Sequence, residues 1–303
     1  MTRHFLALHD YTRDELDGML ALAADLKRKQ KERIPHKLLD GKTVALIFEK
    51  ASTRTRVSFE VGVFQLGGHG LFMASGTSQM GRGEPIKDTA RCMARYCDGV
   101  MIRTFAQETV DEFAKYSDVP VINGLTDLFH PCQIMADLQT VIERKKGYSG
   151  LIFAWVGDGN NMANTWIEAA AIFGFELRLA CPAGYEPDPA VMAWARAKAP
   201  VLITLTTDPK LAVAGADVVN TDVWASMGKE AEQKERERDF AGYCLDDALI
   251  ALAKPDCIVL HCLPAHRGEE ISDSIIEGKH SVVWDEAENR LHIQKAIMAT
   301  LIG

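Results

Sequence analysis

Residues 44–67 read VALIFEKASTRTRVSFEVGVFQLG: a β-branched apolar run, a loop of hydroxyls and arginines, then apolar residues at helical spacing. A strand feeding a helix through so short a loop is the first half of a βαβ unit. The same alternation extends outward. Strand candidates at 44–48, 71–74, 99–103 and 119–123 are each separated by a segment able to form a crossover helix, which predicts a parallel sheet covered on both faces. Upstream, Thr12 and Glu15 form a capping-box pattern, and Leu16, Met19, Leu20, Ala23 and Leu26 follow at helical spacing, so the chain opens with an amphipathic helix. A long helix is expected over 134–146. After it a second series of strand candidates runs 151–156, 176–181, 201–206, 217–221, 257–260 and 281–284. The expected fold is α/β, with two doubly wound parallel-sheet domains and the active-site cleft between them. The first is expected over 1–135, with a C-terminal helix over 287–303 packing back on it, and the second over 150–286. The charge-dense run 229–239 reads as a solvated helix face.

The chain has 303 residues, 47% hydrophobic and 25% charged, an ordinary globular composition with enough length for two cores. Its formal charge of −8 argues against nucleic acid or an anionic membrane as partner, so any phosphate site must be built locally. No stretch approaches the roughly 18–20 apolar residues of a membrane span, and the opening MTRHFLALHDYTRDEL lacks an apolar signal core. A cytoplasmic protein is expected. The seven cysteines, Cys92, Cys97, Cys132, Cys181, Cys244, Cys257 and Cys262, are odd in number and show no zinc-type spacing, so they read as reduced thiols and not as metal ligands.

In open parallel sheets, ligands bind beyond the carboxyl ends of the strands, where loops meet helix N-termini. The polar clusters fall there. Ser52 to Arg56 follow strand 44–48, Ser75 to Gln79 follow 71–74, Arg103 ends 99–103, and His130 to Gln133 come just after 119–123. In the second half, residues 157–161, 222–228, 261–264 and 285–290 each follow a proposed strand. The first cluster reads as an anion cradle, in which helix-start N–H groups, hydroxyls and a guanidinium fork converge on one phosphate. The plain alternative is a capped helix with solvent-facing arginines. A second arginine within one turn adds little to a cap, and Arg103 and His130 at the same edge favour the cradle. Gly157-Asp158-Gly159 invites a dinucleotide reading, but Met162 stands where a third glycine belongs and no acid ends strand 176–181. The glycines instead let Asn160 and Asn161 sit tightly at a helix start. Cys262 is open to two readings, inert packing or a reactive thiol, and Asp222 to two, helix cap or ligand.

An ordered set of strings carries a resemblance over essentially the whole chain: FEKASTRTRVSFE, SGTSQMGRGEPIKDTAR, HPCQIMADLQT, GDGNNMANTW, TDVWASMG, HCLPAHRGEEI and EAENR. The sequence resembles the aspartate/ornithine carbamoyltransferase family, on its ornithine branch, departing at Cys132 where the pattern commonly has threonine. The resemblance implies that Ser52, Thr53, Arg54 and Thr55 hold the phosphate of carbamoyl phosphate, with Arg103 and Arg290 adding charge. It implies that His130, Gln133, Arg103 and the backbone at Cys262 and Leu263 meet the carbamoyl group, and that Gln79 reaches in from a neighbouring subunit of a homotrimer. Asn161, Asp222, Ser226 and Met227 would surround L-ornithine, with Cys262 and Asp222 assisting loss of the amine proton. Arg54 and His130 complete the implied catalytic set. The implied reaction uses two small-molecule substrates and needs no metal or organic cofactor. Its expected setting is arginine biosynthesis.

Overall fold

The structure, a computed structural model, describes residues 2–74, 76, 83–200, 202–225 and 232–303. Gln79, Ser226 and Met227, and most of the two loops that carry them, lie outside the described residues. The chain divides into two units, Met1–Gln139 with Glu288–Gly303, and Thr140–Ala287.

Unit 1 begins with α1 (Arg13–Lys31), capped by Thr12, whose side chain accepts the Glu15 N–H while Glu15 reaches back to the Thr12 N–H. It continues through β1 (Thr43–Phe48), α2 (Thr53–Gln65), β2 (His69–Ala74), α3 (Ile86–Met93), β3 (Gly99–Arg103), α4 (Gln107–Tyr116) and β4 (Val121–Leu125) to α5 (Pro131–Lys145), whose last six residues belong to unit 2. The four strands are parallel in the order β2-β1-β3-β4. The order reverses direction between β1 and β3, so a crevice opens at their carboxyl ends. β1 from Val44 on and β3 up to Arg103 are apolar, and Val44, Leu46, Val100 and Ile102 are completely buried. Each such side chain contributes about 1.5–3 kcal/mol, enough to fix the strand ends that carry the site.

Unit 2 contains β5 (Ile152–Val156), α6 (Asn161–Phe173), β6 (Glu176–Ala180), α7 (Pro189–Lys198), β7 (Ile203–Thr206), α8 (Pro209–Val213), β8 (Val218–Thr221), α9 (Gln233–Asp239), α10 (Asp247–Ile250), β9 (Ile258–His261) and α11 (Asp273–Ile276). The long α12 (Val283–Ile302) starts in unit 2 and ends in unit 1. The five parallel strands run β7-β6-β5-β8-β9, and the reversal falls between β5 and β8. One sheet face packs aromatic rings: Phe153 stacks on Phe175 at 4.1 Å between ring centroids, with Trp166 5.3 Å from Phe153.

Three local expectations change. The strand expected at 119–123 lies at Val121–Leu125. The apolar run 281–284 is not a strand: Ser281 makes a single bridge to Val259 and α12 begins at Val283. Asp285 and Glu286 then occupy the first turn of α12, where carboxylates favour a helix start, so Arg290 is a helical residue and does not follow a strand. The run 229–239 is a solvated face only in part, because Arg236 on α9 is buried and donates to Asp158 Oδ2 at 2.7 Å and to the Trp224 carbonyl at 2.6 Å. All seven cysteines are free, as expected of reduced thiols.

Candidate active site

In unit 1 the loop after β1 runs into α2 with Ser52 as N-cap, its hydroxyl accepting the Thr55 N–H at 3.2 Å. This leaves the other first-turn N–H groups pointing out of the helix start. Thr55 is fully buried, and its hydroxyl oxygen accepts from two guanidinium groups, Arg103 Nη1 at 3.3 Å and Arg290 Nη2 at 2.7 Å. Arg290 also donates to Gln133 Oε1 at 2.8 Å, and Gln133 donates to Asp137 at 2.8 Å. Two buried cations therefore converge on one neutral oxygen at a helix N-terminus, an arrangement that gains most when an anion joins it. Arg54 is half-buried beside them, and its Nε has no hydrogen-bond partner among the described residues. Arg56 points away, paired with Glu60 at 3.1 Å and lying 3.6 Å over the Phe72 ring, so of the two loop arginines only Arg54 remains for the cradle.

His130, just before α5, is 3% exposed. Burial, with the charges of Arg290 and Arg103 behind it, holds its pKa well below the usual histidine range, so the ring is neutral, with one nitrogen able to donate and the other to accept. Cys132 faces the core, its thiol donating to the Asn123 carbonyl at 3.3 Å and its pKa pushed up to about 12 by burial. It packs; it does not face the cradle arginines as a charged group.

In unit 2 the polar ends of β5, β8 and β9 meet around Asp222. Its Oδ2 accepts from Asn160 Nδ2 at 2.9 Å, and its Oδ1 accepts from the Val223 N–H at 2.8 Å and from the Cys262 thiol at 3.1 Å. Asn160 is the N-cap of α6, accepting the N–H groups of Met162 and Ala163, and Asn161 is the first residue of the helix. Asp222 is thus neither a helix cap nor solvated: it is an 8% exposed carboxylate held between an amide and a thiol. Cys262 is half-buried and hydrogen-bonded, which separates it from the inert cysteines of the core.

Glu270, a residue that sequence reasoning did not single out, fixes the loop carrying Cys262. Its Oε1 lies 3.0 Å from His261 Nε2, while His261 Nδ1 accepts the Leu263 N–H at 2.9 Å. Because Nδ1 accepts, the proton sits on Nε2 and points to Glu270. Glu286 adds a second anchor, accepting the His261 N–H at 2.8 Å. Leu263 has φ +59°, a left-handed conformation that a leucine holds only when its surroundings fix it. No local periodicity marks Glu270; the contact exists because the chain returns to bridge Leu245 and Ile271.

The two glycines after β5 are explained without a nucleotide. Gly157 has φ +144°, and a Cβ on Gly159 would lie 2.2 Å from the Pro187 nitrogen, so backbone conformation calls for the first glycine and backbone packing for the second. Asp222, His261 and Cys262 offer donor atoms within 4.8 Å of one another. Both ring nitrogens of His261 are already engaged, so a metal ion would have to displace Glu270 or the Leu263 N–H.

Comparison with known proteins follows this geometry closely. The carbamoyl-P binding domain of aspartate/ornithine carbamoyltransferase matches residues 3–143, and the Asp/Orn binding domain of the same enzymes matches residues 149–301. The chain belongs to the aspartate/ornithine carbamoyltransferase family. It is 75% identical to ornithine carbamoyltransferase of Pelobacter propionicus over 303 residues, covering 100% of this chain and 99% of that protein. It is 76% identical to that of Geobacter sulfurreducens over 302 residues, with 100% of each covered. Among solved structures, ornithine carbamoyltransferase from Pyrococcus furiosus superposes with a TM-score of 0.96 at 49% identity, over 99% of this chain and 97% of that one. Within the carbamoyltransferase match, Arg290 falls in the Asp/Orn-binding stretch of sequence yet belongs to unit 1 in space, where it meets Thr55 and Gln133.

Proposed function

We propose that this carbamoyltransferase moves the carbamoyl group of carbamoyl phosphate to the side-chain amine of L-ornithine, giving L-citrulline and phosphate. The observation that carries the donor half is the convergence of Arg103 and Arg290 on Thr55 at the start of α2. The full-length similarity to ornithine carbamoyltransferases supports ornithine as acceptor.

On this reading Ser52, Thr53, Arg54 and Thr55 hold the phosphate, Arg103 and Arg290 stabilise it as it leaves, and neutral His130 with Gln133 donates to the carbonyl oxygen. Asn161, Asp222, Ser226 and Met227 receive ornithine, with Asp222 answering the α-ammonium. The attacking amine must be neutral, whereas the similar lysine group has a pKa near 10.4 in water. The Asp222–Cys262 pair supplies a route for that proton, since a carboxylate oxygen and a sulfur already share a hydrogen at 3.1 Å. Amine nitrogen then bonds the carbonyl carbon, its second proton passes to a phosphate oxygen, and collapse of the tetrahedral intermediate breaks the carbon–oxygen bond to phosphate. Electrostatic stabilisation of the leaving group and the positioning of two substrates are each worth several kcal/mol. Carbamoyl phosphate binds first, and ornithine draws the Asp222–Gly228 loop inward. The working form is a homotrimer in the cytoplasm, with Gln79 contributed to a neighbour's site, in arginine biosynthesis.

The test is ureido-product formation from carbamoyl phosphate with ornithine, aspartate, acetylornithine and putrescine in separate reactions. Citrulline from ornithine alone is expected. Product with another amine overturns the acceptor assignment and leaves the phosphate cradle; no product from any amine, with folded protein, removes the catalytic reading. Sedimentation gives the assembly, and a monomer would remove the shared Gln79.

A further inference from the structure

β9 carries Cys262 just past its last residue and Cys257 just before its first, so the two ends of this strand are about 16 Å apart. At the Cys257 end, wholly within unit 2, lies a cavity of about 260 Å³ lined by Arg144, Lys145, Asp256, Cys257, Lys279 and His280 together with apolar side chains. In a chain of formal charge −8, this lining holds three fixed cations against one carboxylate. We propose that it binds a small oxyanion of the phosphate class.

The cations are set differently. The Lys145 side chain is 8% exposed, held by Asp256 Oδ2 at 2.9 Å and by the Asp256 carbonyl. Arg144 engages Asp285 through one terminal nitrogen, which leaves further donors of its fork for a ligand. Lys279 is exposed at the rim and makes no ion pair among the described residues. His280 turns Nδ1 to the Cys257 carbonyl at 2.9 Å, which fixes the ring. One effect opposes an anion: α5 ends at Lys145, and a helix C-terminus carries about half a negative charge. Even with Asp285 counted among the acids, the positive excess outweighs it. The Cys257 thiol, raised in pKa by burial, stays neutral and adds no repulsion. The cavity volume exceeds that of a phosphate, so the ligand retains some water or carries a small organic group.

Equilibrium dialysis of radiolabelled inorganic phosphate at low ionic strength tests this on four full-length proteins: wild type, Arg54→Ala, Lys279→Glu and the double variant. The expected result is two sites in wild type, one in each single variant and none in the double, with the Lys279→Glu loss tenfold or more in affinity. Lys198→Glu, an exposed charge change elsewhere in unit 2, is expected to bind as wild type does. Carbamoyl-transfer activity is expected to survive Lys279→Glu. Binding by Lys279→Glu equal to wild type, or an equal loss in Lys198→Glu, overturns the proposal. Retention of both sites by Arg54→Ala would instead count against the cradle assignment alone.

Discussion

The two units place their polar groups at equivalent points, the carboxyl ends of strands flanking a sheet's reversal, and then solve opposite electrostatic problems. Unit 1 gathers guanidinium groups on neutral acceptors: Arg103 and Arg290 on the Thr55 hydroxyl, and Arg290 on the Gln133 carbonyl oxygen. Unit 2 gathers donors on one carboxylate: the Asn160 amide, the Val223 N–H and the Cys262 thiol on Asp222. The first arrangement brings two guanidinium groups to one hydroxyl oxygen at a helix start, a place suited to an anion. The second is satisfied beforehand and must exchange partners to act. The architecture therefore sets where a site lies, and the side chains at the strand ends set the charge it accepts.

The largest expected effect breaks unit 2 alone. Arg236→Met removes the partner of Asp158, a pair in which both side chains are less than a tenth exposed. Loss of one member of a buried pair costs about 3–5 kcal/mol, and the Trp224 carbonyl next to the acceptor loop loses its donor as well. Urea unfolding should show that loss, with KM for ornithine raised and affinity for carbamoyl phosphate unchanged. Equal weakening of both substrates would mean that the halves are not energetically separate.

Arg54→Ala probes the other half. Removing one charged donor from a preorganised anion site typically costs 10²–10³-fold, and kcat/KM for carbamoyl phosphate should fall by about that factor while stability barely changes, since Arg54 Nε bonds to nothing among the described residues. An unchanged rate and KM would remove Arg54 from the cradle.

Cys262→Ser keeps a hydrogen on Asp222 but replaces the thiol by a far weaker acid. Turnover should drop by roughly 10²-fold, the lower range of acid–base contributions, with an altered pH profile and unchanged affinity for carbamoyl phosphate. Wild-type kinetics across the pH range would return Cys262 to plain packing.

The contrast between halves also separates what was legible in the sequence from what was not. The strand–loop–helix at 44–67 could be read because every contact that makes it a cradle floor is local: Ser52 caps Thr55 three residues away. β3 coincides with its expected bounds because Gly99 and Arg103 bracket an apolar run. The third member of the cradle was legible only through the family pattern, since Arg290 reaches Thr55 across 235 positions. Glu270 and Arg236 were not legible at all. A carboxylate after a turn and an arginine in a charge-dense helix look like solvated residues until the chain brings His261 and Asp158 against them. At 281–284 the β-branched run pointed to a strand, but the acids in the following turn made it a helix start.

The smallest effect tests whether a buried cation in unit 1 is tolerated without an anion. Lys295 lies on α12 little more than one turn beyond Arg290 and is fully buried, its ammonium facing Gln65 Oε1 at 2.9 Å and His36 Nε2 at 3.3 Å, with no carboxylate among these partners. Burial lowers its pKa to about 8, and nearby His292 is held down to about 4 by burial first and by the Lys295 charge second. Because the folded pKa lies below the unfolded value of 10.5, the burial penalty is fully present below about pH 8. It lifts as pH rises towards 10.5, where the folded protein has shed a proton that the unfolded chain still holds. The stability of wild type relative to Lys295→Met should therefore be flat from pH 7 to about 8 and move in favour of wild type above it. Over this range folded wild-type His292 is already neutral, and the remaining titrations are common to both proteins and cancel in the difference. Parallel stability curves from pH 7 to 10 would mean that Lys295 is solvated as an ordinary lysine. A rise in the His292 pKa in the variant, read by NMR, would show the same charge acting through space.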